Sequence, residues 1–176
     1  MNPPDSTSVF AGSIPELYER YMVPLIFEPY GLDLARRVAV RQPSSVLEIA
    51  AGTGVVTRQL ARALPRHVSI VATDLNQPMI EHAATVGTSR PVDWRQADAM
   101  QLPFRDKAFD LLMSVAVIEH VGSREKQRAL LYEMCRVGKA FCVWTPNRWY
   151  PLEFHSLIPL LHWLPSWGAN LSRAQW

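Results

Sequence analysis

The stretch VLEIAAGTGVVT, residues 46–57, limits the fold more tightly than any other part of the chain. Its first half is an apolar run that reads as a buried strand, and Gly52 and Gly54 follow where a tight turn is needed. Beyond Gly54, the residues Val56, Leu60 and Ala63 fall on one helical face. A strand, a glycine turn and a helix in this order form the unit that holds a nucleotide-like ligand at the carboxyl edge of a parallel sheet.

The rest of the chain repeats the alternation. Runs at 68–73, 92–97, 109–115 and 140–145 read as four further strands, each separated from the last by a helical or turn-rich stretch. Ser123 reads as the N-cap of a helix whose Leu130, Met134 and Val137 share a face. Upstream, Ser13 and Glu16 have the form of a capping box, and Leu32, Ala35 and Val38 lie at helical spacing before Pro43 closes that segment. The expected class is α/β: a doubly wound, mostly parallel sheet of five strands with helices on both faces. One domain spans 1–176, with a helical cap at 1–43, a binding core at 44–146 and an acceptor-side or interface segment at 147–176.

Composition narrows the partners. Eighteen basic and sixteen acidic side chains are interspersed and sum to +2, so no stripe able to neutralise several phosphates is evident, and nucleic acid is not expected. Cys135 and Cys142, with six residues between them, fit neither a zinc site nor a redox pair. They read as core thiols in a reducing compartment, and no metal is expected. With no basic region ahead of an apolar run at the N-terminus, no secretory signal is visible, and the cytoplasm is the expected location.

The acids say what the turn could hold. A dinucleotide fingerprint places a third glycine where this chain has Thr57, which makes a pyrophosphate ligand less apt. Glu48 ends an apolar strand, where an ionised carboxylate costs several kcal/mol unless a positive or hydrogen-bonding group meets it. Asp74 follows the second strand, where an acceptor can bind a ribose diol, although an Asp there can also cap the next helix. Asp98 follows the third strand; it can accept from the exocyclic amine of adenine or simply brace the turn before Pro103. Acceptors with few cations suit an adenosine that carries a positive group and no phosphate, and S-adenosyl-L-methionine answers that description. A nicotinamide oxidoreductase is the competing reading and predicts affinity for NAD.

Taken together, VLEIAAGTGVVT, VATDLNQPMI, QADAMQLPFRDKAFDLLMSVAVIEHV and EMCRVGKAFCVWTPN resemble the class I S-adenosylmethionine-dependent methyltransferases, in particular the small-molecule branch with the ubiquinone and menaquinone C-methyltransferases. The resemblance implies a Rossmann-like fold. It implies that Glu48, Ala50, Gly52 and Gly54 hold the methionine part of the cofactor, Asp74 the ribose, Leu75 and Met79 the adenine faces, and Asp98 and Ala99 the adenine edge. Val115 would lie beside the sulfonium, and Tyr18 or Tyr21 would close over the cofactor or pack on the sheet. Ala50 stands where the family most often has glycine, and its small methyl group is expected to be tolerated.

His120, at the end of SVAVIEH, is the candidate base for a hydroxyl or acidic-carbon acceptor; its alternative role is to order the loop by hydrogen bonding. The segment after the fifth strand resembles bacterial methyltransferases of glycan or cell-envelope biosynthesis, with Asn147, Arg148, Glu153 and His155 as acceptor-side polar groups. The family's sheet normally has seven strands, so the chain reads as short at its C-terminus. An open edge at strand five would invite a second copy. The apolar FHSLIPLLHWLPSW could lie on a membrane surface, but its polar face is not basic, and packing on the domain's own sheet is favoured. An inert cofactor-binding scaffold docked through that segment is the alternative to an enzyme.

Overall fold

The computed structural model describes residues 19–21, 23 and 28–147. Helix α1, Glu28–Val40, leads into β1, Ser45–Ile49; α2, Val55–Ala63, is followed by β2, Ser69–Asp74, and α3, Gln77–Val86. Then come β3, Asp93–Gln96, β4, Phe109–Val115, α4, Arg124–Val137, and β5, Gly138–Trp144. The five-stranded sheet has the order β3-β2-β1-β4-β5. β1 runs parallel to both β2 and β4, and β2 parallel to β3. The chain moves from β1 outward to β3 and then returns to the other side of β1, so the order reverses between β1 and β4. That reversal opens a crevice at the carboxyl ends of these two strands.

Alternation along β1 sends Leu47 and Ile49 to one face and Val46 and Glu48 to the other, and all four are buried. Leu47 and Ile49 join Leu112 of β4 and the stripe Leu130, Met134 and Val137 of α4 in one core cluster. The Ser123 hydroxyl caps α4 by accepting from the Lys126 N–H at 3.3 Å. α4 runs directly into β5 through Gly138, where a Cβ would stand 2.8 Å from the Ala140 carbonyl oxygen and 3.0 Å from Leu112 Cβ. Only a residue without a side chain fits there.

Four expectations are corrected by this packing. Leu32 is exposed on α1, because Leu34, Ala35 and Val38 form the buried stripe, while Ala63 is exposed in the last turn of α2. Cys135 is not a core thiol: the buried side of α4 is taken by Leu130, Glu133, Met134 and Val137, which leaves Cys135 exposed. Strand β3 is shorter than expected and polar, with Asp93, Arg95 and Gln96 exposed, as suits an edge. Contacts divide the chain into two units, Met1–Val143 and Trp144–Trp176.

Candidate functional site

The turn after β1 is built from left-handed backbone. Ala50 (φ 50°), Gly52 (φ 56°) and Gly54 (φ 80°) all adopt it within five residues. The Ala51 N–H donates to the Thr73 carbonyl at 2.9 Å, which fastens the turn to β2. The two glycines do different work. A Cβ on Gly52 would meet nothing within 4 Å, so its bare Cα faces open space. A Cβ on Gly54 would stand 2.5 Å from Trp94 Cη2 and 3.3 Å from Ala83 Cβ. Gly54 therefore allows α2 to close against β3 and α3, whereas Gly52 leaves room for a ligand.

Glu48 is fully enclosed beneath this turn, and the partner its position demanded is Thr57. The Thr57 hydroxyl donates to Glu48 Oε2 at 2.6 Å, both residues being buried. Burial pushes the Glu48 carboxyl up to about 7 against the opposing pull of Thr57 and of the Arg58 guanidinium, with nearby Asp74 raising it further. The same Thr57 that breaks the dinucleotide pattern is thus the residue that completes the site. The sequence offered one clue, a hydroxyl nine positions after a buried acid, but spacing alone does not show that the strand and helix bring them together. Arg58 donates to the Thr53 carbonyl at 2.7 Å and pairs with Glu19, so a cation that the sequence reading did not anticipate braces the turn.

Asp74 closes β2 with one oxygen turned to the loop after β1 and the other to the backbone that follows β2. Its Oδ2 accepts from the Gly52 N–H at 2.8 Å and its Oδ1 from the Asn76 N–H at 2.9 Å. Burial raises its pKa, and the backbone donors at Asn76 and Gly52 oppose that rise. Helix α3 starts from Asn76, so Asp74 is not its cap. Next to it, the Ala97 N–H donates to the Asp74 carbonyl at 2.9 Å, which carries the chain into Asp98 and Ala99. Asp98 is exposed and its Oδ1 accepts from the Met100 N–H at 2.8 Å, so the carboxylate braces its own turn. Leu75 is exposed at this edge, whereas Met79 is buried in α3.

Across the reversal, Val115 is the last residue of β4 and half-buried. Ala116 follows with φ 55°, a second alanine in the left-handed region. No local signal marks it, since alanine has no preference for that conformation. His120 is exposed in the turn beyond, where its N–H donates to the Val117 carbonyl at 2.9 Å. The Ser114 Oγ and Thr53 Oγ1 atoms are buried near these strand ends with no hydrogen-bond partner among the described residues. Asn147 is exposed beyond β5 in the second unit; Arg148, Glu153, His155 and Tyr18 lie outside the described residues, and so does the apolar segment after 150. Tyr21 is exposed, with the Arg20 guanidinium 5.4 Å from its ring centroid. Among the described residues no helix is long and apolar enough to cross a membrane, and no group of three or more acidic, His or Cys side chains could hold a metal.

The site therefore joins an open glycine, two desolvated carboxylates and a bracing acid along three strand ends. That donor set fits a ligand with hydroxyl, amine and cationic groups better than one with phosphates.

A methyltransferase domain family matches residues 46–140, more than half of the chain. The ubiquinone/menaquinone biosynthesis C-methyltransferase of Chromobacterium violaceum is 36% identical over 124 residues, covering 65% of this chain and 48% of its own length. The chain thus spans about half the length of such relatives. Among solved structures, the [4+2]-cyclase SpnF is 28% identical with a TM-score of 0.53, covering 64% of this chain and 42% of its own. A methyltransferase from Methanococcus maripaludis, 19% identical, reaches a TM-score of 0.63 over 84% of this chain and 69% of its own and bears on the fold alone. By sequence and by fold, the chain belongs to the class I S-adenosylmethionine-dependent methyltransferases.

Proposed function

We propose that this domain binds S-adenosyl-L-methionine, the cofactor of its family, in the crevice between β1 and β4 and transfers the methyl group to an oxygen or carbon of a small-molecule acceptor in the cytoplasm. One observation carries the reading: Asp74, desolvated at the end of β2, is aimed by the N–H groups of Gly52 and Asn76 beside a glycine that faces open space. A carboxylate held there presents acceptor oxygens beside an open glycine, the kind of group a vicinal diol can use.

In this reading Glu48, Ala50, Gly52 and Gly54 form the wall against the methionine part, Asp74 takes the ribose hydroxyls, Leu75 and Met79 pack on the adenine, and Asp98 and Ala99 face its edge. Val115 closes the wall from β4. The bound cofactor supplies an electrophilic methyl on a sulfonium. The chain's own contribution is alignment and exclusion of water, which together can supply several kcal/mol of the barrier lowering. His120 holds or removes the acceptor's proton when the nucleophile is a hydroxyl or acidic carbon, and Asn147, Arg148 and His155 contribute polar groups on the acceptor side. Two free thiols, Cys135 and Cys142, suit a reducing compartment.

A second reading is cofactor binding without methyl transfer. It is favoured by the likeness to a cyclase at 28% identity, since one fold can host unrelated chemistries. Calorimetry separates the parts. The parent is expected to bind S-adenosyl-L-methionine, with Asp74→Ala weakening it by about 10- to 100-fold through loss of charge-assisted hydrogen bonds. His120→Ala is expected to leave affinity unchanged and to slow transfer by roughly 100-fold or more. No binding by the parent, or equal binding by Asp74→Ala, overturns the site. Binding without turnover of any acceptor selects the second reading.

A further inference from the structure

The loop between β3 and β4 is pinned at two places, and Asp98 to Gln101 span the gap. At its start, the Ala97 N–H donates to the Asp74 carbonyl at 2.9 Å and the Gln96 side chain to the Leu75 carbonyl at 2.8 Å. At its end, two side chains of α4 reach up to hold the backbone. Glu133, buried, accepts from the Leu102 N–H at 2.7 Å through Oε1. Arg136 forks onto Glu133, with Nε 2.8 Å from Oε2 and Nη2 2.5 Å from Oε1. The same guanidinium donates to the carbonyls of Leu102 at 3.0 Å and Phe104 at 2.7 Å and to the Asp106 carboxylate at 2.9 Å. Leu102 is buried in the core cluster, and Ala97 and Ala99 pack on that cluster.

The acceptors of Arg136 include two backbone carbonyls of the loop, four and six residues beyond Asp98, and only a planar fork can meet two carbonyls and two carboxylates at once. The span between the pins braces itself, with the Met100 N–H on Asp98 Oδ1 at 2.8 Å and the Gln101 N–H on the Asp98 carbonyl at 3.0 Å. A short span with fixed ends has its height set by those ends.

We infer that Glu133 and Arg136 are positioning residues that fix Asp98, Ala99 and Met100 relative to Asp74, and so set how strictly the site selects adenine over other purines. The inference rests on the reading that Asp98 faces the adenine edge. It is tested with Arg136→Lys, which keeps the charge but loses the fork, and Glu133→Gln, which keeps the shape but loses the charge.

Amide hydrogen exchange reads the loop directly. Both variants are expected to exchange Met100, Gln101 and Leu102 about tenfold faster or more, with the β1 and β2 amides unchanged. Calorimetry reads the consequence. The parent is expected to prefer S-adenosylhomocysteine to its inosine counterpart, which lacks the exocyclic amine, and the ratio is expected to fall about tenfold in the variants while affinity for the inosine form stays constant. Leu34→Ala on α1 serves as a control of comparable stability loss and is expected to leave the ratio unchanged. Unchanged exchange in both variants overturns the positioning role, and so does an equal fall in the ratio for Leu34→Ala. If the parent binds neither compound, the adenine reading fails, while the exchange measurement still decides whether the pair fixes the loop.

Discussion

The two turns that flank the crevice begin alike and are then built differently. After β1 and after β4 the chain enters the left-handed region at an alanine, Ala50 and Ala116. The first turn is then locked from below by the Glu48 to Thr57 hydrogen bond, from the side by Trp94 against Gly54, and from outside by Arg58 on Thr53. The second is less buried. Residues 115–121 are half-buried or exposed, and their hydrogen bonds include the Val117 to His120 turn and the Gln127 side chain on the Ile118 carbonyl at 3.1 Å. Gly122 at its end, φ 86°, has nothing within 4 Å of where a Cβ would go. A buried, packed turn suits a ligand common to a whole family, and a more exposed loop suits an acceptor that differs between relatives.

The largest expected break in that comparison is at glycine. Gly54→Ala combines left-handed strain with overlap against Trp94 and is expected to cost about 2 to 4 kcal/mol in urea unfolding. Gly122→Ala carries the conformational part alone, about 1 to 2 kcal/mol. Pairing Gly54→Ala with Trp94→Leu should recover part of the loss, because the overlapping ring is gone. Equal costs at the two glycines would show that the first turn is no more tightly packed than the second.

Next in size is the response to pH. The folded Glu48 carboxyl titrates near 7, above its ordinary 4.5. Between those values the folded chain keeps a proton that the unfolded chain has released. The stability Glu48 contributes is therefore fully present below about 4.5 and fades as pH rises to about 7, by an amount on the order of 3 kcal/mol. Glu48→Gln is expected to flatten that fall, measured as the melting temperature from pH 4.5 to 7.5. A cationic ligand beside Glu48 favours its ionised form, so binding near pH 6 should release protons, seen as a buffer-dependent heat.

The smallest effects are the two alanines. Ala50→Gly and Ala116→Gly should each stabilise the fold by about 1 kcal/mol, since glycine adopts the left-handed region without penalty. Matching gains would show that both turns store strain at the crevice; a gain at one alone would place the strain there.

Much of the fold was legible in the sequence. Periodicity marked all five strands to within one or two residues at most ends, and the stripe Leu130, Met134, Val137 was read correctly on α4. It misjudged Leu32, Ala63 and Cys135, because helical spacing gives a face but not its centre or where the helix ends. For the site, strand ends and residue chemistry singled out Glu48, Gly52, Gly54, Asp74 and Asp98, the resemblance gave them roles, and the structure brings Gly52 and Asp74 into direct contact. Thr57, Trp94 and Ala116 were not singled out for the roles they play. The first two act through partners on other elements, and the third does so in a conformation its side chain does not favour.

By itself, then, the sequence determined the alternation of strands and helices, the glycine turn and the acids at the strand ends, because these follow from propensity and patterning within a few residues. Only the tertiary structure decided that Thr57 and not a ligand is the near partner of Glu48, that Gly54 serves packing while Gly52 faces open space, and that Glu133 and Arg136 hold a loop some thirty residues upstream. Those outcomes depend on which side chains meet across the sheet, and sequence spacing carries no record of that distance.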